Sequence, residues 1–173
     1  MRRRLILVWL AIAAVGLAAA NYAMDSRRTP LREHATKVLV VKSDHKMLLY
    51  NGDRVIRIYK VAIGRGGLDA KERQGDHRSP EGEYVVDRRK PNSRFHRALH
   101  ISYPNEFDRQ RAHRLGVDPG GEIMIHGIQN GLGWIGLLHR AVDWTDGCIA
   151  VTDSEIDEIW AAVPDGTPIE IRR

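Results

Sequence analysis

The sequence is poor in cysteine, since Cys148 is the only one among 173 residues. A single cysteine excludes an intramolecular disulfide. Free cysteine is among the most buried residue types, and composition alone therefore favours a core position for Cys148. The other interpretation is a nucleophile, because an unpaired thiol is a liability in an oxidising compartment unless it is buried or used. Cys148 is thus either an inert core residue or a reactive group.

Signatures of metal and nucleotide binding are missing as well. No pair of histidines or carboxylates has the spacing of metal ligands, and Gly64-Arg65-Gly66-Gly67 lacks the spacing and the following helix of a nucleotide-binding loop. We therefore expect neither a metal nor a cofactor. A chain of 173 residues, 43% hydrophobic and 28% charged, has the composition of one ordinary globular domain.

The first 24 residues differ in composition from the rest of the chain. Three arginines precede an apolar run from Leu5 to Ala20 that ends in three alanines. We predict that residues 1–24 form either a cleaved signal peptide or a membrane anchor over residues 5–24, and a buried N-terminal helix is the alternative. Because the arginines should stay in the cytoplasm, the chain after Met24 is predicted to lie in the periplasm or cell envelope, secreted or anchored in the inner membrane.

A polar linker is predicted over residues 25–36 and one domain over residues 37–173. Removing residues 1–20 leaves 24 basic against 22 acidic residues, a balance that does not favour nucleic acid as a partner. One basic cluster remains, and it either faces an anionic polymer of the envelope or is solvated surface. Its members are Arg88, Arg89, Lys90, Arg94 and Arg97.

Short runs with β propensity dominate the domain and predict a mostly β fold with one or two packed helices. Asn51-Gly52, between two of these runs, is a strong hairpin signal. Residues 64–82 contain five glycines and are interpreted as a loop. The predicted strands span Lys37–Val41, Lys46–Tyr50, Arg54–Ile63, Glu83–Asp87, Ala98–Ser102, Glu122–His126 and Thr167–Ile171.

Two segments carry the capping signals of helices. Asn105 can cap a short surface helix whose Phe107, Arg111 and Leu115 share one face, and Gly116 can end it. The second signal is the capping box Thr152-Asp153-Ser154-Glu155, which predicts a helix that packs an apolar face on the sheet. That face comprises Ile156, Ile159, Trp160 and Val163.

Cys148 and His126 occupy similar positions relative to predicted strands. His126 ends the apolar run Ile123–Ile125 and precedes Gly127, while Cys148 follows a turn and begins another apolar run. Two such strand ends side by side would bring an imidazole to a thiol, the usual arrangement of a cysteine nucleophile and its base. Several other histidines are interpreted as solvated surface residues: His34, His45, His77, His96 and His113.

These motifs resemble those of a known family. His126-Gly127, a loop and then Thr145-Asp146-Gly147-Cys148 resemble the signature of the L,D-transpeptidase (YkuD-like) family, in which His-Gly is followed at a distance by Ser/Thr-His-Gly-Cys. Ser79–Tyr84 is similar to the family's Thr/Ser-Pro-x-Gly-x-Tyr segment, and Val38–Tyr50 resembles its opening strands. The resemblance covers residues 37–171 in the same order.

The resemblance implies an L,D-transpeptidase-like β-sandwich or meander that acts on peptidoglycan stem peptides. It implies that Cys148 is the nucleophile and His126 the general base and proton donor. Gly127 would orient His126 through its carbonyl, and the N–H groups of Gly147 and Cys148 would bind the oxyanion. A thioester on Cys148 would form with loss of the terminal D-alanine, and the acceptor would be a stem amine, a lysine of an envelope protein, or water.

Two positions depart from the family pattern, and two more residues complete the candidate site. Asp146 stands where the family usually has a second histidine; it either supports His126, raises the pKa of the thiol, or only shapes the turn. Ala150 stands where many members have arginine or asparagine. Thr145 is a candidate for support or substrate contact. Trp134 lies in a glycine-rich stretch that is either a lid or substrate wall, or core filling.

Two other functions stay open from the sequence. An L,D-carboxypeptidase or endopeptidase would hydrolyse the same bonds with the same residues. A non-catalytic wall-binding module could keep the fold, although it would not need both Cys148 and His126 with their flanking glycines.

Overall fold

A computed structural model describes residues 31–173 together with a few helical positions between residues 6 and 20. Most of the predicted leader or anchor over residues 1–24 lies outside the described residues. Where the chain is described, no helix is both long and apolar enough to cross a membrane. The signal peptide or anchor stays a prediction.

The end of the predicted linker packs on the domain. Ala35 is buried, and its N–H donates to the Ala162 carbonyl at 2.7 Å. Leu31 is half-buried against the core, and its N–H donates to Glu158. Contacts with the domain therefore begin by residue 31.

Eight strands form one mixed sheet in the order β3-β2-β1-β8-β4-β5-β6-β7. Neighbouring strands are antiparallel except for the parallel pairs β1–β8 and β6–β7. The prediction of a mostly β fold with packed helices is confirmed. The strands are β1 Lys37–Val41, β2 Lys46–Asn51, β3 Arg54–Lys60, β4 Gly82–Ser93, β5 His96–Ile101, β6 Met124–His126, β7 Ile149–Ala150 and β8 Pro168–Arg172.

Strand β3 is shorter than predicted, and this difference helps to build the site. It ends at Lys60 instead of Ile63 because the chain then leaves β2 and crosses to the other end of the sheet. There Ala62 forms an isolated antiparallel bridge with Ala150, and Gly64 a parallel bridge with Thr145. The segment after β3 therefore lies against the residues on both sides of Cys148.

Strand β4 is longer than predicted, because the charged residues beyond Asp87 find partners far away in the sequence. Arg88 and Lys90 lie 2.6 and 2.7 Å from the Glu122 carboxylate. Arg89 is half-buried, pairs with Asp165 and stacks over a tryptophan ring. Much of the predicted basic cluster is therefore ion-paired surface.

Two α-helices confirm the capping predictions. Helix α1, Glu106–Leu115, has a capping box with Asn105 and ends at Gly116, whose φ of 65° suits glycine. The predicted shared face of Phe107, Arg111 and Leu115 is not the buried one, since Phe107 and Leu115 are exposed. Asp108 is buried instead, because its carboxylate accepts a 2.9 Å hydrogen bond from a tyrosine hydroxyl.

Helix α2, Asp153–Ala162, begins after the predicted capping box of Thr152 with Glu155. It buries Ile156 and Ile159 in the core, next to β5 and β6. Packing of this apolar face fixes the end of the sheet where His126 and Cys148 lie. Between β6 and β7, short 3-10 turns over Gly133–Ala141 join at Gly136, and Arg140 of these turns pairs with Glu155 of α2.

Candidate active site

The parallel strands β6 and β7 bring His126 and Cys148 to one face of the sheet. Ile125 pairs with Ile149, and both lie in the core. Successive side chains of a strand point to opposite faces of the sheet, so His126, Cys148 and Ala150 lie on the face opposite to that of Ile125 and Ile149. Cys148 and His126 line one cavity of about 280 Å³, together with Arg94, Phe95, Gln129, Trp144, Thr145 and Asp146.

The carbonyl of Gly127 fixes the His126 ring. It lies 2.7 Å from His126 Nδ1, and since a carbonyl can only accept, Nδ1 carries the proton and Nε2 is left as a proton acceptor. This contact is the one that the predicted orienting role of Gly127 requires. A Cβ at Gly127 would lie 2.7 Å from an Asp153 carboxylate oxygen, so that α2 approaches closely only because the residue is glycine.

An aromatic wall surrounds the imidazole. The ring centroids of Phe95 and Trp144 lie 4.4 and 5.7 Å from that of His126. The histidine is buried, and burial lowers its pKa to about 4, since the charged imidazolium loses water. His126 is thus neutral at physiological pH and able to accept a proton.

Cys148 is a neutral thiol in the resting protein. Its Sγ donates to the Glu122 carbonyl at 3.6 Å. Burial of the sulfur, together with the negative charges of Asp146 and Glu122, raises the thiol pKa to about 11, although a hydrogen bond with the Met124 backbone acts in the opposite direction. The resting pair is therefore thiol and imidazole, and the ion pair has to form during the reaction.

Thr145 holds the turn that presents the sulfur. Its hydroxyl donates to the Cys148 carbonyl at 2.7 Å and accepts from the Gly147 N–H at 3.2 Å. Gly147 has a φ of 124°, and a Cβ there would lie 2.6 Å from the Arg78 carbonyl oxygen. The N–H of Gly147 is thus engaged within the turn, which competes with its predicted role toward an oxyanion.

Asp146 faces the loop over residues 64–82. Its carboxylate lies 2.8 Å from His77 Nδ1 and 2.9 Å from the Arg65 guanidinium. The backbone makes the same connection, since the Arg65 N–H donates to the Thr145 carbonyl at 3.0 Å. Through these contacts Asp146 joins the turn before Cys148 to the loop. Of the interpretations left open for Asp146, the structure favours the one in which its negative charge raises the thiol pKa.

We expect Asp146→Asn to alkylate faster than the wild type. Removing the negative charge lowers the Cys148 pKa, so that more thiolate is present at any alkaline pH. Iodoacetamide labelling between about pH 7 and pH 10 should show the profile displaced toward lower pH. The same displacement in Asp44→Asn, which changes an exposed carboxylate elsewhere on the surface, would contradict this assignment.

Trp134 is not part of the cavity wall. It lies in the 3-10 turns with 59% of its surface exposed, and Trp144 occupies the position beside His126. Phe95 was not predicted from the sequence, and Arg94 was predicted only as a member of the basic cluster, although both line the cavity. One signal was available for Trp144, which immediately precedes Thr145; the loop between β4 and β5 offered none for Phe95.

Ala150 is buried by backbone pairing. Its N–H and carbonyl bond to Ala62 at 2.8 and 3.0 Å, and no surface of the residue is exposed. Arg94 lines the same cavity, with its guanidinium 5.0 Å from the Phe95 ring centroid. Arg94, in the connection between β4 and β5, therefore brings a positive charge to the cavity.

Within the described part of the chain, no three His, Cys, Asp or Glu side chains are grouped to hold a metal ion.

Comparison with known proteins agrees with this geometry. The protein is 35% identical over 134 residues to YafK of Escherichia coli K12, whose curated name assigns it provisionally to the L,D-transpeptidases. The match covers 76% of this chain and 44% of YafK, so that the chain spans less than half the length of this relative.

Solved structures share the fold. Pgp2 of Campylobacter jejuni, described as a helical cell shape determining protein, has a TM-score of 0.60 at 20% identity, over 90% of this chain and 55% of Pgp2. An L,D-transpeptidase of Xylanimonas cellulosilytica has a TM-score of 0.54 at 19% identity, over 87% of this chain and 68% of the other. The family model of the YkuD L,D-transpeptidase catalytic domain matches residues 35–171. The chain thus belongs to the L,D-transpeptidase (YkuD) family.

Proposed function

We propose that this protein is a cysteine acyl-transferase that modifies peptidoglycan stem peptides through a thioester on Cys148. One observation carries the proposal: His126 and Cys148 share a cavity in which the Gly127 carbonyl leaves Nε2 of His126 as a proton acceptor. Membership of the L,D-transpeptidase family supports peptidoglycan as the substrate class.

In the proposed first step, proton transfer and attack occur together. Because the pKa of Cys148 is raised to about 11 and that of His126 lowered to about 4, a free thiolate is rare before substrate binds. In the proposed first step Sγ attacks the carbonyl carbon of the third stem residue while His126 Nε2 takes the thiol proton. The C–N bond to D-alanine then breaks, and His126 returns the proton to the leaving nitrogen.

The cavity offers groups for the charges of this reaction. The N–H of Gly147 is bonded to Thr145, which makes the N–H of Cys148 the better candidate for the oxyanion. Arg94 lines the cavity and can pair with the terminal carboxylate of the stem. In this proposal Arg94 supplies the cation that Ala150 cannot.

The acceptor distinguishes transferase from hydrolase. A stem amine or a protein lysine gives a new amide, whereas water gives the L,D-carboxypeptidase or endopeptidase outcome. Incubation with disaccharide-tetrapeptide, with and without an added primary amine, separates the two by mass spectrometry of the products. Amide product supports the transferase, tripeptide alone supports the hydrolase, and unconsumed substrate leaves the non-catalytic wall-binding module.

We also propose an envelope location for the domain, and the apolar run after three arginines supports it. A reporter fused after Arg173 should be active only if it works outside the cytoplasm. Activity of a reporter that works only in the cytoplasm would contradict this location. The mass of the mature chain then decides between cleavage and an anchor over residues 5–24.

We also propose a role in cell shape, because Pgp2, which shares the fold, is described as a helical cell shape determining protein.

A further inference from the structure

The backbone of Glu122 has an unusual conformation shortly before β6. Its φ is 56°, in the left-handed region that favours glycine, although glutamate carries a Cβ. A conformation of this kind persists only where the surrounding structure holds it. Gly120 and Gly121 precede Glu122 and are too permissive to impose it. The contacts that hold this backbone therefore come from the Glu122 side chain or from the strand that follows.

The Glu122 side chain is held by two cations of β4. Arg88 lies 2.6 Å from Oε1 and Lys90 lies 2.7 Å from Oε2, so each carboxylate oxygen has its own partner. Strand β5 lies between β4 and β6, and the side chain reaches across it. Exposed ion pairs of this kind contribute little to the free energy of unfolding. Their effect is better sought in the backbone that they position.

The backbone carbonyl of Glu122 is the hydrogen-bond acceptor of the resting thiol. Cys148 Sγ donates to it at 3.6 Å. A thiol has one proton, so this bond directs the S–H to the carbonyl rather than to Nε2 of His126. A carbonyl oxygen can only accept, which means that it binds the thiol and not the thiolate. Through this contact Glu122 favours the protonated sulfur and fixes its position.

Several other charges act on Glu122 and Cys148. His100 Nε2 lies 3.9 Å from the Glu122 carboxylate, and His100 Nδ1 is bonded to Asp87. Loss of a charge and loss of the hydrogen bond both change the pKa of the thiol, so a test has to separate them. The charged and titratable groups around the sulfur are His126, Asp146 with its partners Arg65 and His77, and the buried Lys71.

We infer that Glu122 is a positioning residue for the nucleophile: its ion pairs with Arg88 and Lys90 hold the carbonyl that keeps the resting Cys148 as a thiol. For the attack, the S–H turns from this carbonyl to Nε2 of His126 while the sulfur stays in place. The inference rests on the proposed function, in which this sulfur is the nucleophile, although the ionisation of the thiol tests it without any substrate.

Charge and positioning predict opposite results when the two cations are removed. By charge alone, Arg88→Gln/Lys90→Gln leaves the Glu122 carboxylate unbalanced, and its negative charge should raise the pKa of the thiol. If the ion pairs hold the carbonyl, the same variant releases it, the hydrogen bond from Sγ is lost, and the pKa should fall. Since a net hydrogen bond corresponds to about a two- to tenfold change in an equilibrium constant, we expect about threefold more thiolate at a given pH below the pKa.

The test titrates the ultraviolet absorbance of the thiolate in the full-length protein from about pH 7 to pH 11, with the corresponding Cys148→Ser protein as the blank. The rate of iodoacetamide labelling, divided by the thiolate fraction, then gives the accessibility of the sulfur, which should stay within about twofold of the wild type. Glu122→Asp keeps the charge but is one methylene shorter, and it should move the titration in the same direction. D-Alanine release from disaccharide-tetrapeptide should fall about tenfold in the double variant despite its additional thiolate, because Sγ is no longer fixed.

Lys37→Gln/Arg54→Gln is the matched control, since it removes two exposed, ion-paired cations from β1 and β3, in the half of the sheet away from β6. It should titrate and turn over as the wild type. An unchanged or raised thiol pKa in Arg88→Gln/Lys90→Gln would overturn the inference, as would a fall that comes with a more accessible sulfur. A wild type that consumes no tetrapeptide would contradict the proposed function instead, while the titration still decides the role of Glu122.

Discussion

Replacing Cys148 by serine should abolish consumption of the tetrapeptide, with a loss of at least about a thousandfold. A hydroxyl ionises far less readily than a thiol, and His126, with its pKa lowered to about 4 by burial, is too weak a base to compensate. The fold should persist, because Cys148 is only half-buried and serine is similar in size. The measurement is D-alanine release at saturating substrate, with circular dichroism to monitor folding.

Cys148→Ala serves as the reference for this result. If serine and alanine variants have the same residual rate, the sulfur performs the chemistry. A serine variant that keeps more than about a tenth of the wild-type rate would remove Cys148 as the nucleophile.

Replacing His126 by glutamine should lower the rate of acylation by about a hundred- to ten-thousandfold. The glutamine amide can still donate to the Gly127 carbonyl, which accepts from His126 Nδ1 at 2.7 Å, but it cannot take the thiol proton. Because the wild-type reaction needs neutral His126, the rate should fall on acidification through a pKa of about 4. Activity should thus extend well below the ordinary histidine pKa of about 6.5.

His113→Gln, which replaces an exposed histidine on α1, is the control for this test. It should leave both the acylation rate and the pH–rate profile unchanged. An acid limb near pH 6.5 in the wild type would mean that the imidazole is solvated, which contradicts its burial between Phe95 and Trp144.

Local signals in the sequence predicted much of the fold. Strand β1 has its predicted bounds, Lys37–Val41, because a continuous run of β-branched and apolar residues marks it without information from distant segments. Both helix starts follow capping boxes that lie within four residues. The location of His126 and Cys148 at one cavity also followed from local rules, since each residue ends or begins an apolar strand.

Features that depend on distant partners could not be predicted. The second half of β4 is charged and lacks β propensity, but Glu122 and Asp165 pair with it across the fold. Asp146 contacts Arg65 and His77, which lie in a loop far away in the sequence. His100 Nδ1 lies 2.5 Å from Asp87 Oδ1 at the point where the register of β4 and β5 shifts between Val86 and Arg88, and no signal in the sequence marked this bulge.

The central claim is that a covalent thioester forms on Cys148, and mass spectrometry of the intact protein tests it most directly. The full-length chain is incubated with disaccharide-tetrapeptide and quenched in acid, which preserves thioesters. We expect an adduct with the mass of the substrate less D-alanine, on the peptide that contains Cys148, absent from Cys148→Ser and released by hydroxylamine. D-alanine release without an adduct at Cys148, or the same adduct in Cys148→Ser, would contradict the account.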